Sequence, residues 1–192
     1  MKVAVLCSGG GTNLQALLDA ERAGAFPHAQ IALVGVDRDC YARQRAAAAG
    51  VPAIEVSTTN LPRVLEEAGI DVVVLAGFLA IVPPEVTRAF ARRIINIHPS
   101  LLPAHGGKGM YGLRVHEAVL AAGETRTGAT VHLVTDTIDG GEILLQREVD
   151  VEPGDTAEIL QARVMHEAEW EILPQALAEL TADLAQSGKG KQ

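Results

Sequence analysis

The chain has 192 residues, of which 48% are hydrophobic and 21% charged, with a net charge of −8. That is material for a sizeable core, built from Ala, Val, Leu and Ile because only 3% of residues are aromatic. The acidic balance without a basic stripe argues against a nucleic-acid surface, and two cysteines, Cys7 and Cys40, make neither a disulfide framework nor a metal motif.

The first element is the apolar run Val3–Cys7, too short for a secretory signal. No other run is long enough to span a bilayer, so a soluble cytoplasmic protein is expected. Ile31–Val36, Val72–Ala76 and Ile94–His98 repeat the same apolar pattern. Between these runs, Leu14–Ala23, Ala42–Ala49, Arg63–Ala68 and Glu85–Ala91 have helical spacing, with Gly50 and Gly69 placed as C-caps. Such alternation predicts βαβ units around buried parallel strands. Further on, Val115–Ala122 reads as a helix. Ala129–Val134 and Ile143–Val149, joined through "TDTIDGGE", read as an antiparallel hairpin. Thr156–Leu184 reads as one or two long helices with Pro174 as a bend or fresh start. The expected fold is α/β: a Rossmann-like, mostly parallel twisted sheet with helices on both faces and an antiparallel C-terminal hairpin region. One domain over residues 1–183 and a flexible tail over 184–192 are expected.

"CSGGGTNLQALL" follows the first strand. Three glycines allow a sharp turn, and the helix start, with Thr12 or Asn13 as cap, offers N–H groups to an anion. No Gly-Lys-Ser/Thr follows, so this is not a Walker A loop, and Leu14 spoils G-x-G-x-x-G. Asp37 and Asp39 end the second strand, where a dinucleotide's ribose would be held. The plain alternative is a tight turn without ligand.

Asn96 and His98 stand two apart in "INIHPSLLP", alternating with Ile95 and Ile97. They therefore share one face at the carboxyl end of a strand, where α/β sheets bind ligands. An amide and a protonated imidazole converging on one oxygen form an oxyanion site. The competing reading is a capping Asn and a satisfied core His. Asp136 and Asp139 in "VTDTIDGGE" are the carboxylates that would hold the imidazole charged.

These residues carry a resemblance. "NIHPSLLP", then "GATVHLVTDTIDGGEIL" about thirty residues later, together with "VLCSGGGTNLQALL" and "DVVVLAGF", resemble the folate-dependent formyltransferases over roughly residues 1 to 180. The resemblance implies transfer of a formyl group from 10-formyltetrahydrofolate, as co-substrate, to the amine of glycinamide ribonucleotide, with no metal. It places Asn96, His98 and Asp139 on the family's catalytic residues, with Thr130 and His132 supporting. It implies ribonucleotide binding by Gly11, Thr12, Asn13 and Glu169, with His166 to Ala168 lining the same site. It implies folate binding by Leu79, Ala80, Ile81 and Val82, and by Asn96, Thr135, Asp136, Thr137, Ile138 and Asp139. The implied partners are these small molecules, without nucleic acid or membrane; a homodimer is left open.

The chain departs from the family at Ala80, where arginine commonly holds the folate tail; Arg63 is the candidate replacement. Trp170 stands where histidine is usual. The glycine-rich loop at residues 104–114 reads as a flap, with Lys108, Met110 and Tyr111 as candidates to touch ligand, and His116 as a helix residue. Three alternatives stay open. Methionyl-tRNA formyltransferases share the trio but add an RNA domain, for which this chain is too short and too acidic. Formyltetrahydrofolate deformylases share it behind a regulatory domain. A nucleotide-binding module without catalysis would need only the glycine turn.

Overall fold

The computed structural model describes residues 1–189. One seven-stranded sheet is formed by β1 (Lys2–Cys7), β2 (Gln30–Val36), β3 (Ala53–Glu55), β4 (Val72–Leu75), β5 (Ile94–His98), β6 (Arg126–Leu133) and β7 (Ile143–Asp150). Its order is β3-β2-β1-β4-β5-β6-β7. The first five strands run parallel, and β6 and β7 are antiparallel to their neighbours. The helices are α1 (Thr12–Arg22), α2 (Ala42–Ala48), α3 (Leu61–Glu67), α4 (Pro84–Ala89), α5 (Leu113–Ala121), α6 (Ala157–Val164) and α7 (Trp170–Lys189). No helix among the described residues is long and apolar enough to cross a membrane.

The apolar strands are buried on both faces, as parallel sheets require. Val3, Val5, Cys7, Val72, Val74, Ile95 and Ile97 pack with α1, α2, α5, α6 and α7. Ala4, Leu6, Val73, Leu75 and Ile94 pack on the other face with α3 and α4. Strand order reverses between β1 and β4, and the crevice at such a reversal lies beyond the strands' carboxyl ends. Two bonds tie the segments leaving β1 and β4 together there: Ser8 N–H donates to the Gly77 carbonyl at 3.0 Å, and Leu79 N–H donates to Ser8 Oγ at 2.8 Å.

Several local expectations change. The sequence does not announce β3, because its three residues, Ile54 and Glu55 exposed among them, show no buried face. α1 starts after Gly11, which is left-handed (φ 68°), and no side chain caps it; neither Thr12 nor Asn13 is the cap. The long C-terminal helix is interrupted by a π-helical turn, Met165–Glu169, and Pro174 lies inside α7 just beyond it. α7 continues to Lys189, so the segment expected as tail begins as helix; residues 190–192 lie outside the described residues.

Candidate active site

A cavity of about 480 Å³ opens at the carboxyl end of the sheet. Of the expected residues it is lined by Asn13, Leu79, Ala80, Ile81, Val82, Asn96, His98, His132, Thr135, Asp136, Thr137, Ile138, Asp139 and Glu169. Residues of the loop 107–112, with Phe78, Thr87, Gln161 and Met165, also contribute to the wall.

The polar cluster expected to be catalytic is a product of register. Asn96 pairs directly with His132 across the β5–β6 ladder, and His98 with Thr130, so all four side chains share a face. His132 Nδ1 donates to its neighbouring Leu133 carbonyl at 3.0 Å. That leaves Nε2 as an acceptor, and Asn96 Nδ2 donates to it at 3.0 Å. The chain of bonds decides which way the amide points, because the flipped amide would set two acceptors against each other. Asn96 Nδ2 keeps a second hydrogen for the cavity.

His98 Nε2 donates to the His105 carbonyl at 2.9 Å. Its Nδ1 faces Asp139 Oδ2 at 3.7 Å, an electrostatic neighbour beyond hydrogen-bond distance. Asp139 Oδ1 lies 3.6 Å from His132 Nε2, and Oδ2 accepts from Gly107 N–H at 2.9 Å. Asp139 is left-handed, φ 52°, a strained conformation that Asp tolerates better than most residues. Gly141 must follow it closely, since a Cβ there would sit 1.7 Å from the Leu133 carbonyl oxygen.

Burial pushes the Asp139 carboxyl up, but the groups around it, the Gly107 N–H that Oδ2 accepts among them, outweigh burial and hold it below the ordinary carboxylate range. For His98 the balance goes the other way. Burial lowers its pKa, and the His105 carbonyl and Asp139 carboxylate only partly restore it. Asp139 therefore pulls the His98 pKa upward, as expected, but burial outweighs that pull.

Also lining the cavity, Asn13 Nδ2 donates to Glu169 Oε2 at 2.6 Å. Glu169 is buried, and burial pushes its carboxyl up to about 7 against the opposing pull of the Asn13 amide. The π-helical turn ends on Glu169, and the extra residue of such a turn re-aims the side chains around it. Gly11 and Thr12 do not line the cavity; Thr12 Oγ1 meets Met165 Sδ at 3.7 Å. His166 and Ala168 do not line it either. Ala168 is core, and His166 stacks on Trp170 with ring centroids 4.1 Å apart.

Other expected residues act from outside. Thr130 Oγ1 donates to the Ser100 carbonyl at 2.6 Å and accepts from Leu102 N–H at 3.0 Å, holding the turn after β5. Arg63 pairs with Glu67 on α3 and does not reach the cavity, and Asp37 is taken up by Arg38. His116 is a buried α5 residue whose pKa burial pushes down to about 4. Among the lining residues only Lys108 is a lysine or arginine. No cluster of three metal-ligating side chains occurs among the described residues.

Residues missed from the sequence are the His105 carbonyl, the Gly107 N–H, Thr87 and Gln161. The first two act through backbone atoms, which no residue type announces.

Residues 1–177 match the family described as Formyl transferase. The chain is 43% identical over 176 residues to the chloroplastic phosphoribosylglycinamide formyltransferase of Vigna unguiculata, covering 86% of this chain and 56% of the relative. It thus spans little more than half the length of that relative. It is 37% identical over 183 residues to phosphoribosylglycinamide formyltransferase of Haemophilus influenzae, covering 90% of this chain and 84% of the relative. The crystal structure of glycinamide ribonucleotide transformylase 1 from Symbiobacterium toebii superposes with a TM-score of 0.88 at 40% identity, covering 95% of this chain and 88% of that one. With its strand order, its catalytic-end geometry and these likenesses, the chain belongs to the formyl transferase family.

Proposed function

We propose that this chain transfers the formyl group of 10-formyltetrahydrofolate to the primary amine of glycinamide ribonucleotide, in the cytoplasm. The observation that carries the reading is the convergence of an oriented amide donor, Asn96, with a His98 ring whose Nδ1 faces both the cavity and the Asp139 carboxylate.

The residues divide the work as follows. Glu169, with Asn13, holds the amine end of the ribonucleotide, and its raised pKa lets it accept a hydrogen near neutral pH. Asn13, in the first turn of α1, brings that helix end to the edge of the cavity, and the phosphate is assigned to the N–H groups there, the means by which a chain of net charge −8 would hold an anion. The apolar wall from Leu79 to Val82 and the loop from Thr135 to Ile138 receive the folate. When the amine nitrogen bonds to the formyl carbon, the carbonyl π electrons move to oxygen, and the free Asn96 hydrogen meets the developing charge. Neutral His98 takes the proton that the attacking nitrogen must lose, at Nδ1. The new imidazolium lies against Asp139 and the negative oxygen, both of which favour it. His98 then delivers that proton to the folate nitrogen as the carbon–nitrogen bond breaks, leaving the formamide and tetrahydrofolate. Asp139 stays a carboxylate throughout.

The test is a spectroscopic assay of folate release with and without glycinamide ribonucleotide. Release only with the ribonucleotide is expected. Release without it would establish hydrolysis instead, and none in either case would overturn the catalytic reading.

A further inference from the structure

One short segment grips both members of the His98–Asp139 pair. The His105 carbonyl accepts from His98 Nε2, and two residues later Gly107 N–H donates to Asp139 Oδ2, each at 2.9 Å. The segment cannot hold this shape by itself. His105 is left-handed at φ 52°, Gly107 and Gly109 have φ of 95° and 90°, and a Cβ on Gly106 would meet Leu102 Cδ2 at 2.5 Å. Glycine-rich backbone with positive φ loses much freedom on ordering, so something outside must fix it. Two side-chain contacts do so. Ser100 Oγ donates to the Ala104 carbonyl at 2.6 Å, and His105 Nε2 bonds Glu124 Oε1 at 2.7 Å. Glu124 stands on the turn between α5 and β6, outside the cavity lining.

The structure assigns Glu124 and the His105 side chain a positioning role: they latch the loop so that the His105 carbonyl holds the hydrogen of His98 on Nε2 and leaves Nδ1 to carry the proton. This rests on the proton-carrying role given to His98 above. The two nitrogens of an imidazole are set apart by the bond that one of them makes. Without the carbonyl, neutral His98 also populates the form with hydrogen on Nδ1, which cannot accept the amine's proton there.

The experiment compares Glu124→Ala, His105→Ala, the double variant and Glu124→Gln with the native protein. Outer partners that orient a working side chain contribute roughly 10- to 100-fold. Each single alanine variant is expected to lower kcat about tenfold or more, with KM for the ribonucleotide within about twofold. The double variant should lose no more than the worse single one, because both break one latch. Glu124→Gln keeps an acceptor oxygen for His105 and should restore most of kcat. Long-range ¹H–¹⁵N spectra should show His98 with hydrogen on Nε2 in the native protein and a mixture in the alanine variants. Native kcat and an unchanged His98 spectrum in Glu124→Ala would overturn the latch, as would additive losses in the double variant. If the native protein transfers no formyl group, the function fails, and the spectra still decide the latch.

Discussion

The two ends of the cavity are built on opposite principles. At the catalytic end, Asn96, His98, His132 and Asp139 are each held by another group, and the relay runs from the Leu133 carbonyl to the Asn96 amide without a break. At the mouth, Leu79, Ile81 and Ile138 are 46%, 70% and 50% exposed. There, shape and apolar area are what the wall offers a ligand. The difference teaches where each form of catalysis resides: charge stabilisation needs donors fixed before the reaction, whereas a binding wall can yield to its ligand at small cost.

Breaking the catalytic end should have the largest effect. His98→Ala is expected to lower kcat by about 10²–10⁴ while ribonucleotide binding, measured by calorimetry, stays near native; a fully active variant would sink the assignment. Asn96→Ala should cost about 10²–10³ in kcat. His132→Leu leaves the amide present but unoriented and should cost less, about 10-fold. Equal losses in these two variants would show that His132 does more than orient.

Asp139→Asn sharpens the comparison through pH. The His98 pKa already lies below its ordinary value through burial, and Asp139 opposes that fall. Removing the carboxylate should lower the pKa further. With neutral His98 as the proposed proton acceptor, the acid limb of kcat/KM should move to lower pH, alongside the loss in rate from the unsupported imidazolium. An unmoved limb would assign that limb to another group.

Glu169→Gln tests the ribonucleotide end by stability. A carboxyl raised to about 7 in the fold, from 4.5, holds its proton after the unfolded chain has lost it. Native stability therefore falls between about pH 4.5 and 7 and then levels off, by on the order of 3 kcal/mol at most. The variant, melted at pH 4 and pH 8, should gain relative to native only at the higher pH. A gain of equal size at both would mean that burial of charge is not the cause.

The smallest effect belongs to the mouth. Ile138→Ala should raise KM for the folate a few-fold, as expected for about 1 kcal/mol of lost apolar contact at a half-exposed site, with kcat unchanged. A matching loss in kcat would show that the two ends are not separable.

Much of this protein was legible in its sequence because period and residue type carry it. Alternation of Ile95 and Ile97 with Asn96 and His98 put the amide and imidazole on one face, and apolar strands between helical stretches placed that face at a sheet's carboxyl end. The glycines at 50 and 69 stood where positive φ ends a helix. Tertiary structure alone decided the rest. It joined Asn13 to Glu169 across 156 residues, an encounter set by how α1 and the π-helical turn pack. It set His98 against the His105 carbonyl and Asp139 against the Gly107 N–H, bonds made by backbone atoms that every residue possesses. It also set the direction of the His98 pKa, which burial lowers against the pull of the neighbouring carboxylate. Residue types supply the groups in such a competition; only their distances and their depth in the protein decide which wins.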